Sequence, residues 1–263
     1  MRILLALILM TPWHLCAQEV IKAPNPPNKE ASPINQRRAY GNACGPASLL
    51  NAFQYGSEKW CKAFNSVPGD NSRTRLQHVV KTWGNKPSKH VKGVNRWNAK
   101  QGINLLDLTD MANEMQAAHF LPSIKNEVLT AKSRESRIDL LHRSHSRITK
   151  SLKKGLPPII SIRRYAYRFN KAVGQKSWWP IRSHFVVVIE IPEKLKRGAT
   201  TFNIKYIDPY GGFIREGTIH THTGSFQNSP FLGATMLKTS VGKSLVKSSE
   251  ETLLTFSAII GTW

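Results

Sequence analysis

A chain of 263 residues with 40% hydrophobic and 9% aromatic content carries enough apolar side chains for one core, near the upper size of a single domain. Its 38 Lys+Arg against 16 Asp+Glu give a formal charge of +22, yet the apolar content excludes wholesale disorder, and beyond the N-terminus no window approaches the roughly 18 uninterrupted apolar residues of a membrane span. Three cysteines without a Cys-x-x-Cys pair exclude a disulfide scaffold and a structural zinc site of that type.

Residues 1–17 place Arg2 before an aliphatic run and end on Leu15-Cys16-Ala17, the pattern of a secretory signal peptide and hence of an exported, periplasmic or extracellular protein. Its removal leaves a formal charge near +21. Such a charge attracts anionic envelope polymers or a membrane surface. The basic residues are scattered and accompany no DNA- or RNA-reading motif, so a sequence-specific nucleic-acid partner is not expected. Residues 18–33 read as a Pro-rich linker: residues 23–33 carry four prolines and no apolar period, an extended tether, with the folded domain from residue 34 to residue 263.

Four helices are predicted next. Residues 44–55 place Pro46 in a first turn, Leu49, Leu50 and Phe53 on one side and Gly56 as a stop. Ser72 caps a second helix with the stripe Leu76, Val79, Val80 and Trp83, ended by Gly84. A third spans residues 105–118. The fourth, residues 134–154, sets Ile138, Leu141, His145, Ile148 and Leu152 on one face and stops at Gly155. Short β-branched or alternating runs follow at residues 159–162, 184–191, 201–207, 213–219 and 253–260. Helices first and an antiparallel sheet second make an α+β fold.

Three residues carry chemistry. Cys44 opens the first helix, where orphan amides and the positive dipole end favour a thiolate, and where its own amide can serve as an oxyanion donor. Gly45 would let the backbone come close to a bound carbonyl. A bridge from Cys44 to Cys61 is disfavoured, because eleven helical residues carry the chain roughly 16 Å away while a disulfide needs α-carbons within about 7 Å. His184 opens the strand H-F-V-V-V-I-E-I and Asp208 closes F-N-I-K-Y-I-D. A hairpin around residues 192–200 sets these two directly opposite each other, at a spacing that suits an imidazole donating to a carboxylate.

The blocks N-A-C-G-P-A-S-L-L at residues 42–50, R-S-H-F-V-V-V at 182–188 and Y-I-D-P-Y-G-G at 206–212 resemble those of papain-like cysteine peptidases of the bacteriocin-leader-processing type. The resemblance covers residues 34–212 in blocks, while 57–150 match nothing in it. It implies a papain-like fold, N-terminal helices packed on a C-terminal antiparallel sheet. It also implies a Cys44 nucleophile, a His184 base, an orienting Asp208, and Gln36 as second oxyanion donor. The substrate is then a peptide or protein, with no cofactor and no metal. An envelope amidase or acyl transferase using the same triad, and a non-catalytic basic binding module, are the alternatives. His220 and His222 alternate on one strand but lack a third metal ligand. His145 reads as a hydrogen-bonded core residue, and Trp178 and Trp179 as either a groove wall or partly buried loop residues. Oligomeric state is not legible.

Overall fold

The computed structural model describes residues 19–263 except Glu30, Val173, Leu237 and Ser240; residues 1–17, expected from the sequence to be a signal peptide, lie outside them. Among the described residues the fold mixes five α-helices with a large antiparallel sheet. The helices are α1 (Cys44–Gln54), α2 (Glu58–Asn65), α3 (Ser72–Val79), α4 (Leu105–Ala117) and α5 (Arg137–Lys153). The strands are β1 (Val20–Lys22), β2 (Trp97–Asn98), β3 (Gly102–Ile103), β4 (Lys125–Val128), β5 (Ile159–Asn170), β6 (Gln175–Pro192), β7 (Thr201–Asp208), β8 (Phe213–His220), β9 (Leu232–Met236) and β10 (Thr252–Gly261).

The sheet runs β1-β6-β5-β10-β9-β8-β7, and a further pairing of β6 with β7 closes strands β5 to β10 into a ring. Closure needs strands that bend and change partners. Register shifts at Arg164/Tyr165, Val188/Glu190 and Phe256/Ala258 supply the bends. Strand β6 is long enough to serve two neighbours on one side, β5 and then β1, while β7 takes the other.

Helix α1 is buried along nearly its whole length, so its polar side chains need partners inside the protein. Ser48 Oγ donates to Phe185 O of β6 at 3.0 Å. Asn51 Oδ1 accepts from Ile34 N at 2.8 Å. These bonds fix α1 against β6 and against the segment that precedes it. Leu49, Leu50 and Phe53 fill the interface, and Phe53 stacks on Trp60 of α2 at 5.4 Å.

Several expectations change. The described residues of 23–33 are no free tether: β1 adds to the edge of β6, Ala23 N donates to Ile189 O at 2.7 Å, Asn25 Nδ2 to Gln54 O at 2.9 Å, and Tyr55 Oη to Ala31 O at 2.7 Å. The prolines remove donors, and side chains from α1 and its C-cap supply the missing hydrogen bonds. The cap of α3 is Asn71, not Ser72, because Asn71 Oδ1 accepts from Arg73 N and Thr74 N in a capping box with Thr74. Beyond Val79 that helix widens into a π-helical stretch, Val80–Gly84. On α5, Ser136 and Asp139 form the N-terminal capping box, and Ile138 faces solvent while Leu141, His145, Ile148 and Leu152 are buried.

Candidate active site

Cys44 is the first residue of α1, and its N-cap, Ala43, has no side chain to bond the helix's leading amides. The thiol therefore meets unspent N–H groups. Burial pushes its pKa up, but a hydrogen bond and charge from His184, with the amides of Phe185 and Gly45, outweigh burial and hold it below the ordinary value.

His184 lies on β6 and is 6% exposed. Its Nε2 sits 2.8 Å from Asp208 Oδ1, which leaves Nδ1 as the ring nitrogen that serves the sulfur. Burial pushes the imidazole down, yet hydrogen bonds and charge from Asp208 and Cys44 raise it to about 9. A lowered thiol beside a raised imidazole is the electrostatic condition for a thiolate–imidazolium pair.

Asp208, 2% exposed, ends β7. Its Oδ1 also accepts the Tyr210 N–H at 2.9 Å, and its Oδ2 is 3.4 Å from Arg215 Nε. The contact with His184 does not arise as the hairpin argument predicts. Val187 pairs Ile207 and Val188 pairs Tyr206, a register two residues off the expected one, and Glu190 pairs Lys205 after a bulge at Ile189. A shift of two keeps both side chains on one face. His184 therefore reaches Asp208 along a diagonal rather than straight across.

Arg215 went unrecognised in the sequence. It pairs Tyr206 across β7 and β8, which puts it on the diagonal of Asp208. The Pro-Tyr-Gly-Gly turn would have revealed it, since a hairpin closing Asp208 onto Phe213 fixes that register.

Gln36 reaches the site through the same turn. Its N–H donates to Pro209 O at 2.9 Å, Asn35 Oδ1 accepts from Gly211 N at 3.2 Å, and a side chain at Gly212 would strike Pro33 O. The short helical turn Gln36–Arg38 is thus docked on the loop that follows Asp208. Gln36 is buried, lines one cavity with Cys44 and His184, and spends one amide hydrogen on Gly41 O. The other remains for an oxyanion.

Packing also requires glycine at position 45. A Cβ there would strike Ile103 Cγ2 and lie 3.2 Å from Leu108 Cδ2, so glycine lets β3 and α4 close over the helix start. The same contact clamps the loop before Cys44: Asn42 Nδ2 donates to Ala99 O at 2.7 Å, and Asn42 O accepts from Trp97 Nε1 at 3.0 Å.

The remaining candidates fall elsewhere. Both Cys44 and Cys61 are free thiols. His145 Nε2 bonds Pro192 O at 2.7 Å in the core. His220 Nε2 bonds Thr235 Oγ1 at 3.1 Å. Trp178 stacks between Tyr167 and Phe226, and neither it nor Trp179 lines the cavities at Cys44. The residues with metal-ligand geometry among those described are His90, Asp107 and Asp110, whose ligand-type atoms lie within 4.8 Å of one another. None of the three lines the Cys44 cavities, although Asp107 Oδ2 accepts from Nδ2 of Asn104, which does, at 2.5 Å. Searches against family models and against curated proteins return no match for this chain, so the arrangement of Cys44, His184, Asp208 and Gln36 is what speaks for its chemistry.

Proposed function

We propose that this chain is a papain-like thiol hydrolase that cuts peptide or isopeptide bonds, acting outside the cytoplasm as the leader residues 1–17 suggest. The observation that carries the reading is the unbroken relay Cys44–His184–Asp208, with the thiol held below its ordinary pKa and the imidazole raised to about 9.

In this mechanism the Cys44 thiolate attacks the scissile carbonyl carbon, and the charge displaced onto oxygen is held by the Cys44 amide and the free Nε2–H of Gln36. As the C–N bond breaks, the His184 imidazolium gives its proton to the leaving nitrogen. This leaves a thioester on Cys44 and a neutral imidazole. Water then attacks the thioester while His184 takes its proton, and collapse releases the new carboxylate and restores the thiolate–imidazolium pair. An envelope amidase follows the same steps, and an acyl transferase differs only in admitting an amine in place of water. Throughout, Asp208 orients the imidazole and stabilises its cationic form, and Arg215 balances the Asp208 charge.

The test is incubation of the purified protein and its Cys44→Ala variant with a peptide library read by mass spectrometry. New termini are expected with the parent alone. Products with both proteins, or with neither while Cys44 reacts no faster than a free thiol, contradict the reading.

A further inference from the structure

The walls of the catalytic cleft carry information that the triad does not use. The cleft has two lobes at Cys44, with volumes of about 560 and 500 Å³. Neither is lined by an aspartate or glutamate. Three other cavities, at β1 with β7 and β8, at the tip of the β5–β6 hairpin, and beside His220, each include at least one glutamate. The cleft walls instead present Lys100, Arg163, Arg182 and Lys243, together with a buried Arg96 already paired with Glu114.

One of these cations stands in an electrostatically costly place: Arg182 lies directly opposite Arg164 across β5 and β6. Arg163 is opposed by Ser183 at the next position of the ladder and lines the same lobe as Arg182 and Cys44. Like charges directly opposed weaken a ladder. Other arginines are met by carboxylates, as in Arg96–Glu114 in the cleft wall and Arg143–Glu135, Arg168–Glu250 and Arg215–Asp208 beyond it. Here the three guanidiniums have neutral partners only. Arg164 donates to Val241 O and Thr252 Oγ1, Arg163 to Ser183 Oγ at 2.8 Å, and Arg182 to Asn42 Oδ1. Arg164 is buried, while Arg182 is exposed and Arg163 half-exposed in the cleft. A guanidinium so placed has spare N–H groups in the fork geometry that matches a carboxylate.

Resting on the hydrolase reading, we propose that Arg163 and Arg182 form an anion subsite beside Cys44, and that the substrate carries a carboxylate within a residue or two of the bond that is cut. An incoming carboxylate would offset the repulsion between opposed arginines and hold the scissile carbonyl against the thiolate. The carboxylate belongs either to an acidic side chain or to a free chain end; both share this chemistry.

Two arms test the proposal and separate its failure from that of the hydrolase reading. The first needs no turnover. Cys44 is alkylated with iodoacetate and with iodoacetamide, reagents of similar size that differ in charge, and the ratio of their rate constants is followed. The ratio cancels changes in thiolate fraction. It is expected to fall roughly tenfold at low salt in Arg163→Gln/Arg182→Gln, and to be largely kept in the corresponding double Lys variant. Glutamine retains a donor for Asn42 Oδ1. An unchanged ratio in the double Gln variant overturns the subsite. Should that variant fail to fold by circular dichroism, the parent decides: its ratio must drop steeply with added salt, and a salt-independent ratio overturns the proposal. In the second arm, matched peptides place Asp or Glu against Asn or Gln near the cleaved bond, with free or amidated C-termini. A lower KM for the acidic side chain identifies that source, a lower KM for the free end identifies the other, and equal or better cleavage of uncharged peptides overturns the proposal. If no peptide is cut at all, the hydrolase reading fails while the alkylation ratio still decides the anion subsite.

Discussion

Replacing Asp208 by asparagine tests the relay at its most informative atom. In the parent, Oδ1 accepts from His184 Nε2 at 2.8 Å and from Tyr210 N at 2.9 Å, while Oδ2 faces Arg215 Nε at 3.4 Å. An asparagine can keep Oδ1 in both acceptor roles, but its Nδ2 then faces a guanidinium, donor against donor. The orienting bond survives and the charge is lost. Raising His184 from 6.5 to about 9 corresponds to roughly 3 kcal/mol in favour of the imidazolium, at about 1.4 kcal/mol per pH unit. Cys44 supplies part of that and Asp208 part, so the amide forfeits about 1–2 kcal/mol and kcat/KM falls about tenfold. Asp208→Ala removes the bond as well, and a loss of about 10³ or more is expected. In a serine-type triad the asparagine alone costs about 10⁴, because a neutral imidazole is trapped in the wrong tautomer; an imidazolium has both nitrogens protonated and no such trap. The sign of the pH effect follows from the raised imidazole. Its cationic form is fully present below about 6.5 and is lost as pH rises through about 9, so the parent's activity and part of its stability decline there. In Asp208→Asn the alkaline limb moves to lower pH. The stability gap between parent and variant narrows toward pH 9, apart from a pH-independent part that Arg215→Met relieves by removing the orphaned cation. Kinetics of the three variants on any peptide the parent cleaves, with urea unfolding at two pH values, provide the readout. Equal loss in Asn and Ala variants of unimpaired stability refutes the tautomer argument, and full activity in both removes Asp208 from the site.

Three shorter predictions follow from the same geometry. Gly45→Ala drives a Cβ into Ile103 and should cost about 1–3 kcal/mol in urea unfolding, a loss that Ile103→Val partly recovers. Gln36→Ala should lower kcat by about 10²-fold while the pH midpoint of Cys44 alkylation stays put; a shifted midpoint would mark Gln36 as a part of the thiol's own environment. Attachment of the chain without residues 1–17 to anionic vesicles, driven by a formal charge near +21, should weaken steeply between low and moderate salt in co-sedimentation, and salt-independent attachment would contradict an electrostatic origin.

What the sequence disclosed depended on whether local pattern or distant contact decided each feature. The start of α1 was legible because Gly45-Pro46 and the Leu49, Leu50, Phe53 stripe are local signals. The ends of β6 and β7 that carry His184 and Asp208 were legible as apolar runs meeting polar residues, and their shared face survived an error of two in register because side chains alternate with period two. The error begins in the connecting loop, since Glu190 already pairs Lys205, and the bulge at Ile189, with no glycine or proline to announce it, changes the register by one residue. The long arms of β5 and β6 were missed because Arg163 to Asn170 mixes cations and aromatics without an apolar period of two and resembles a surface loop. Residues 23–33 looked like a tether because prolines hide the role of partners far along the chain, here Gln54 and Tyr55. The pairing of β5 with β10, which brings the two ends of the sheet round into a ring, is a tertiary fact that no local window contains.

The central claim is that Cys44 rests as a thiolate paired with the His184 imidazolium. The most direct measurement is the rate of Cys44 alkylation by iodoacetamide against pH, in the parent and in His184→Ala, with Cys61 replaced by serine. The parent should show a midpoint well below the roughly 8.5 of a free thiol, and His184→Ala should raise it, since the hydrogen bond and the positive charge of His184 do more than any other group to oppose the effect of burial on the thiol. A parent midpoint near the free-thiol value, or one indifferent to His184, would contradict the claim.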